Sequence, residues 1–278
     1  MLRKASFFYS VGAVRRIAMV MLTLLALIMV AGCQPSTPES EPIDRLWNPD
    51  TGAMIFRADY EQAFLPELAR ISETTPCTVY GDGRVIWVNE LDAFNSEVLF
   101  DIVSEEQIQA FINYVAFDEN FYAQTAGAAD SPMDEGSPLV ETIMMDVGGQ
   151  RHIADNYGGW DSGFFERVLA ACKFISSAPI RFEPTEAWLT VREVDAITDA
   201  PSVYWIPDEH GGLSLAALAD NSTQPQWVSG TGVTELWRML HSLSYITLYG
   251  EGERFFQIGL QVPGVTRDSP ARPENAGE

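Results

Sequence analysis

Thr78-Val79-Tyr80-Gly81-Asp82-Gly83-Arg84-Val85-Ile86-Trp87-Val88 reads as a β-hairpin, and the fold class follows from it. β-Branched and aromatic residues flank an Asp-Gly pair, whose turn needs the positive φ that glycine supplies. One carboxylate in a tight turn is far from the roughly six oxygens that calcium takes, so Asp82 is a turn residue. Upstream, Met54 to Tyr60 reads as a strand. Downstream, Ser104-Glu105-Glu106-Gln107 is a capping box, followed at helical spacing by Ile108, Phe111, Ile112 and Val115.

A second hairpin joins Thr142–Val147 to Arg151–Ala154 over Gly148-Gly149. Asp161-Ser162 then opens a helix with Phe165, Val168, Leu169 and Cys172 on one face. Strands that do not alternate regularly with helices predict an α+β fold: an antiparallel sheet of hairpins with amphipathic helices packed on one side. Beyond Pro184, Trp188–Val194 and Ser202–Ile206 read as strands. Val233, Leu236, Trp237 and Leu240 mark a further helix. Phe256, Ile258, Leu260 and Val262 alternate with polar residues and glycine, as in a strand with one buried face. Trp188, Trp205, Trp227 and Trp237 read as core residues before they read as a sugar platform. Thr247-Leu248-Tyr249-Gly250-Glu251-Gly252 echoes the first hairpin. The echo admits either two related subdomains, 50–182 and 183–262, or shared turn chemistry alone.

The amino terminus has another character. Arg3, Lys4, Arg15 and Arg16 precede an apolar run from Ile17 to Ala31, broken only by Thr23. This is the layout of a secretory signal peptide, and the run is short of the roughly 20 residues that span a bilayer. Val30-Ala31-Gly32-Cys33 resembles the lipobox of bacterial lipoproteins, position for position. That resemblance implies removal of residues 1–32 and lipidation of Cys33. It also implies a mature protein held to the cell membrane or outer membrane on its extracytoplasmic side. Two or three acyl chains hold firmly where one does not. Residues 33–49, rich in Pro, Ser and Glu, read as a flexible tether, and 263–278 as a disordered tail. Residues of the first hairpin region also resemble exported bacterial domains of unknown function with a Tyr-Gly-Asp-Gly hairpin followed by a helix, a likeness that carries no site.

Removing residues 1–32 takes four basic and no acidic residues, leaving 13 basic against 39 acidic and a net charge of −26. Such a charge repels phosphate backbones, which sets nucleic-acid binding aside. With Cys33 lipidated, Cys77 and Cys172 remain in an oxidising compartment, either as a disulfide or as two buried thiols.

The chemistry-bearing residues are sparse. His210-Gly211-Gly212-Leu213-Ser214-Leu215-Ala216 approximates a nucleophile elbow, with His241 as base and Asp220 to orient it. Against it stand the final alanine and the absence of repeated strand–helix alternation. The competing reading is a Gly-rich loop that starts a short helix. Asp130, Asp134 and Glu135, in the loop from Ala123 to Pro138, are candidate metal ligands without calcium-loop spacing. No dinucleotide or phosphate-binding fingerprint occurs, so no cofactor is implied. The expectation is therefore a membrane-anchored, non-enzymatic module for a protein or small-molecule ligand. An exported serine hydrolase using Ser214 is the alternative.

Overall fold

The structure, a computed structural model, describes residues 46–276 except 62–64, 93–94, 128–138 and 197–199. The turn after Tyr80 works as its residue types require. Gly83 sits at φ +95°, and a Cβ there would lie 2.7 Å from the Val103 carbonyl oxygen, so conformation and space both demand glycine. The Asp82 carboxylate accepts from the Arg84 backbone N–H at 3.2 Å and from its Nε at 2.7 Å.

Among the described residues the first half runs β1 (Met54–Glu61), α1 (Glu67–Ile71), β2 (Cys77–Tyr80), β3 (Arg84–Glu90), β4 (Ser96–Ile102), α2 (Glu105–Asn113), β5 (Val140–Val147), β6 (Gln150–Asp155), α3 (Phe164–Lys173) and β7 (Ile180–Arg181). The second half runs β8 (Glu186–Val194), β9 (Ser202–Tyr204), α4 (Leu215–Asn221), β10 (Gln226–Ser229), α5 (Thr231–Leu240), β11 (Leu248–Glu251) and β12 (Arg254–Gln261). The fold is α+β, as the hairpin pattern predicts.

The first sheet has the order β6-β5-β1-β2-β3-β4-β7, antiparallel throughout. Because alternate side chains take opposite faces, Phe56, Cys77, Val79, Val85 and Trp87 share one face and meet α2 and α3 through Ile108, Phe111, Phe165 and Val168. The capping box of α2 forms: Ser104 Oγ accepts from the Gln107 N–H, and Gln107 Oε1 from the Ser104 N–H. Cys77 and Cys172 are joined as a disulfide that pins α3 to β2. Helix α3 begins on Gly163 rather than on an Asp161 side-chain cap. Asp161 instead pairs with Arg167 at 3.2 Å.

The second sheet has the order β10-β8-β12-β11-β9. Its pairs are antiparallel except β9 with β11, which is parallel. The expectation of a strand with one buried face fails at β12. Leu260 pairs with Leu189 and Ile258 with Val191, and they share a core with Leu215, Val233 and Leu236 of α4 and α5. The opposite face is covered too. A Cβ on Gly259 would lie 2.6 Å from Ile71 Cδ1 and 3.1 Å from Leu68 Cδ2, so α1 rests directly on the backbone there.

The two sheets divide between Arg181 and Glu186, but Tyr80, Ile86 and Val98 of the first belong to the core of the second. The echoed hairpins differ in detail. Residues 81–83 separate β2 from β3, whereas only 252–253 separate β11 from β12, and the helix follows one hairpin and precedes the other. The expected disordered tail is corrected for residues 263–276. Val265 and Thr266 are buried, Gly264 O accepts from the Tyr80 hydroxyl at 2.8 Å, and Ala271 O accepts from Trp188 Nε1 at 3.0 Å. Composition suggested disorder because few apolar residues are present; one buried valine, one buried threonine and a set of paired polar groups suffice. No helix among the described residues is long and apolar enough to cross a membrane. Cys33 lies outside the described residues.

Candidate functional site

A concavity opens where the first sheet meets the second. It measures about 530 Å³ and receives residues from α1 and the segment after it, from β3, β4 and the end of α5, and from β11 and β12. Each wall is fixed by its own hydrogen bonds. Ser72 Oγ donates to the Leu68 carbonyl at 2.7 Å and accepts from the Leu260 N–H at 2.9 Å, which ties the end of α1 to β12. Thr74 forms an antiparallel bridge with Thr266. Glu73 receives Arg267 Nη1 at 3.0 Å, and the same guanidinium reaches Asp59 at 2.6 Å.

Ser96 and His241 form the opposite wall. The Ser96 N–H donates to the His241 carbonyl at 2.8 Å, and Ser96 Oγ lies 3.0 Å from His241 Nδ1. The imidazole packs edge-on against Trp237, ring centres 4.5 Å apart. Burial pushes its pKa down to about 4, so the ring is neutral at pH 7. A smaller cavity of about 320 Å³ shares Asp92, Asn95, Ser96 and His241 with the larger one, so the serine–histidine pair stands between the two.

Several hydroxyls at this site make no hydrogen bond among the described residues. Tyr249 lines the cavity and is 2 % exposed, and its hydroxyl is one of them. Desolvation drives its pKa up. Thr74 Oγ1 is buried and likewise unpaired. Buried polar atoms nearly always have partners, and exceptions call for a role. Among the described residues the charged lining groups, Glu73, Glu90 and Asp92, are all carboxylates, and no lysine or arginine lines the cavity. Burial raises the Glu73 pKa despite the attraction of Arg267.

The residues singled out for a serine hydrolase are not brought together. Ser214 is the N-cap of α4: its Oγ accepts from the Ala217 N–H at 3.1 Å and donates to Glu251 Oε1 at 2.7 Å. The Glu251 carboxylate also accepts the Leu215 and Ala216 N–H groups at 2.7 and 3.1 Å. Satisfying the free donors of a helix start is the work of these groups. Asp220 pairs with Arg254 at 2.8 Å, and His241 belongs to Ser96. The elbow reading is thus replaced by the Gly-rich loop and helix start, with Gly211 and Gly212 both at positive φ. Ser96 and His241 outline a nucleophile and base, but among the described residues no carboxylate is hydrogen-bonded to the other side of the ring, as the triad logic requires.

Asp130, Asp134 and Glu135 lie outside the described residues. Among the described residues no group of three or more His, Cys, Asp or Glu side chains is placed to hold a metal ion. Of the tryptophans, Trp205 and Trp237 are buried. Trp188 and Trp227 pack edge to face, 5.4 Å apart, on the outer sheet. Sequence reasoning missed Ser96 and the α1 residues as parts of a site; it singled out His241, though with other partners, and noted Tyr249 only within the hairpin echo. No protein-family model, no curated protein and no solved structure matches the chain.

Proposed function

We propose that this protein is a lipid-anchored, extracytoplasmic binding protein whose inter-sheet cavity takes a small ligand. The carrying observation is the cavity itself. Its volume falls within the roughly 300–1,000 Å³ of small-molecule sites, and the side chain of Tyr249, otherwise buried, lines it with a hydroxyl that makes no hydrogen bond among the described residues. The Cys77–Cys172 disulfide supports an oxidising compartment, where such bonds persist. The separation of Ser214, His241 and Asp220 removes the support for hydrolysis at Ser214.

The test is native mass spectrometry, without reductant, on protein extracted from its own membrane, alongside Leu68→Trp. Retention of a small molecule by the wild type and its loss in the variant, whose indole fills the cavity, is the expected result. Two proteins that both emerge ligand-free would count against binding at this cavity. An unacylated full-length mass would count against the anchor.

A further inference from the structure

We propose that the cavity selects an organic cation, an ammonium group carried on an apolar body, with the charge received among Glu73, Glu90 and Asp92 and the body against Leu65, Leu68 and Leu243. The inference rests on the reading of this cavity as a binding site and names the class of its ligand.

Charge narrows the class first. Among the described residues every ionised side chain lining the cavity is a carboxylate, so an anionic ligand would be repelled. The three differ in what they already hold. Glu73 has Arg267 at 3.0 Å, and Asp92 accepts the Asn95 backbone and side-chain N–H groups at 2.9 and 2.7 Å. Glu90 has no hydrogen bond or close ion pair among the described residues, and the one cation that feels its charge, Lys173, does not line the cavity. His241, neutral in its buried position, adds no opposing positive charge.

The Tyr249 hydroxyl narrows it further. Tyr249, nearly fully buried, lines the cavity with a hydroxyl that no donor among the described residues meets. A ligand N–H reaching it would satisfy a group that is costly to leave unmade. An ammonium supplies several donors in a small volume and is drawn to aromatic faces such as those of Tyr245 and Tyr249, which both line the cavity. Leucine side chains complete the lining, which suits a hydrocarbon body and disfavours a bare metal ion.

The experiment titrates the folded, disulfide-bonded protein with phenylbutylammonium, phenylbutanol and phenylbutyrate by calorimetry, at low and high salt. The expected result is saturable one-site binding of the ammonium, at least about tenfold tighter than either analogue, weakening as salt screens the carboxylates. Glu90→Gln, at the rim and without an ion pair, should weaken the ammonium about tenfold and leave the alcohol unchanged. Tyr249→Phe should weaken it about threefold without lowering Tm, because the lost hydroxyl makes no internal bond. Equal or tighter binding of the alcohol or carboxylate would overturn the cation while leaving the cavity a binding site. No binding of the ammonium would overturn it as well, and retention of a Leu68→Trp-sensitive ligand in the mass spectrum would then show that the binding reading survives.

Discussion

Arg267 shows how much a single side chain far along the sequence governs. Its guanidinium is 11 % exposed and lies between Asp59 and Glu73, with Arg57 a further 3.6 Å from Asp59. Even so, burial outweighs these cations, and the Asp59 pKa is raised. Arg267→Ala would leave a buried carboxylate uncompensated, a change that costs about 3–5 kcal/mol. Chemical denaturation should show that loss, and adding Asp59→Asn should restore part of it. His241 gives a pH signature. Its folded pKa of about 4 lies below the ordinary 6.5, so the unfolded chain takes up a proton at a higher pH than the folded one. The associated stability is therefore fully present above pH 6.5 and is lost as pH falls toward 4, by roughly 3 kcal/mol. His241→Gln should remove that component, so the two pH–stability curves converge near pH 4. Arg267 did not announce itself in the sequence, since it sits in a Pro-rich stretch. His241 was legible as a candidate base but with the wrong partners, Ser214 and Asp220 in place of Ser96.

Elements were legible where local chemistry specifies them. Asp82-Gly83 and Gly148-Gly149 set their hairpins, and Ser104 with Gln107 set the start of α2, because those signals act over a few residues. Strand β4 was missed: Ser96-Glu97-Val98-Leu99-Phe100-Asp101-Ile102 does not alternate cleanly, since it is covered from both sides, Leu99 toward one core and Val98 toward the other. Helix α1 was missed because five residues cannot display a period and isolated helices that short are unstable; it exists because Gly259 leaves room for Leu68 and Ile71. The disulfide between β2 and α3 was legible as an option and not as a fact, since two cysteines carry no distance. It closes a loop 95 residues long, for which the chain-entropy model gives about 4–5 kcal/mol. The double variant Cys77→Ser, Cys172→Ser should lose close to that in denaturant titration, with α3 losing protection from hydrogen exchange before the second sheet does. A uniform loss of protection would indicate that α3 is held mainly by Phe165 and Val168.

For the molecule as a whole, the formal charge of −22 is a standing self-repulsion that salt relieves. Raising sodium chloride from about 0.02 to about 0.3 M should therefore raise Tm by a few degrees, while organic-cation affinity falls over the same range. A Tm that drops would mean that the surface ion pairs, such as Arg254 with Glu193 at 2.7 Å, outweigh the net charge. The class of fold could be read before the structure because hairpins and helices are local. The cavity could not, since it draws on segments from Leu65 to Ile258 with no motif in any one of them.

The pairing of Arg267 with Asp59, 208 residues apart, and of Tyr80 with Gly264, 184 apart, sets an order of events. Whether it leaves a ribosome or a secretion pore, a chain that emerges amino-terminus first presents Asp59, Glu73 and Tyr80 long before their partners. Contacts this distant are the last for which loop closure is repaid. These two contacts therefore close only once the segment around Arg267 has been made, so the buried carboxylate of Asp59 waits for its cation until the rest of the fold is in hand.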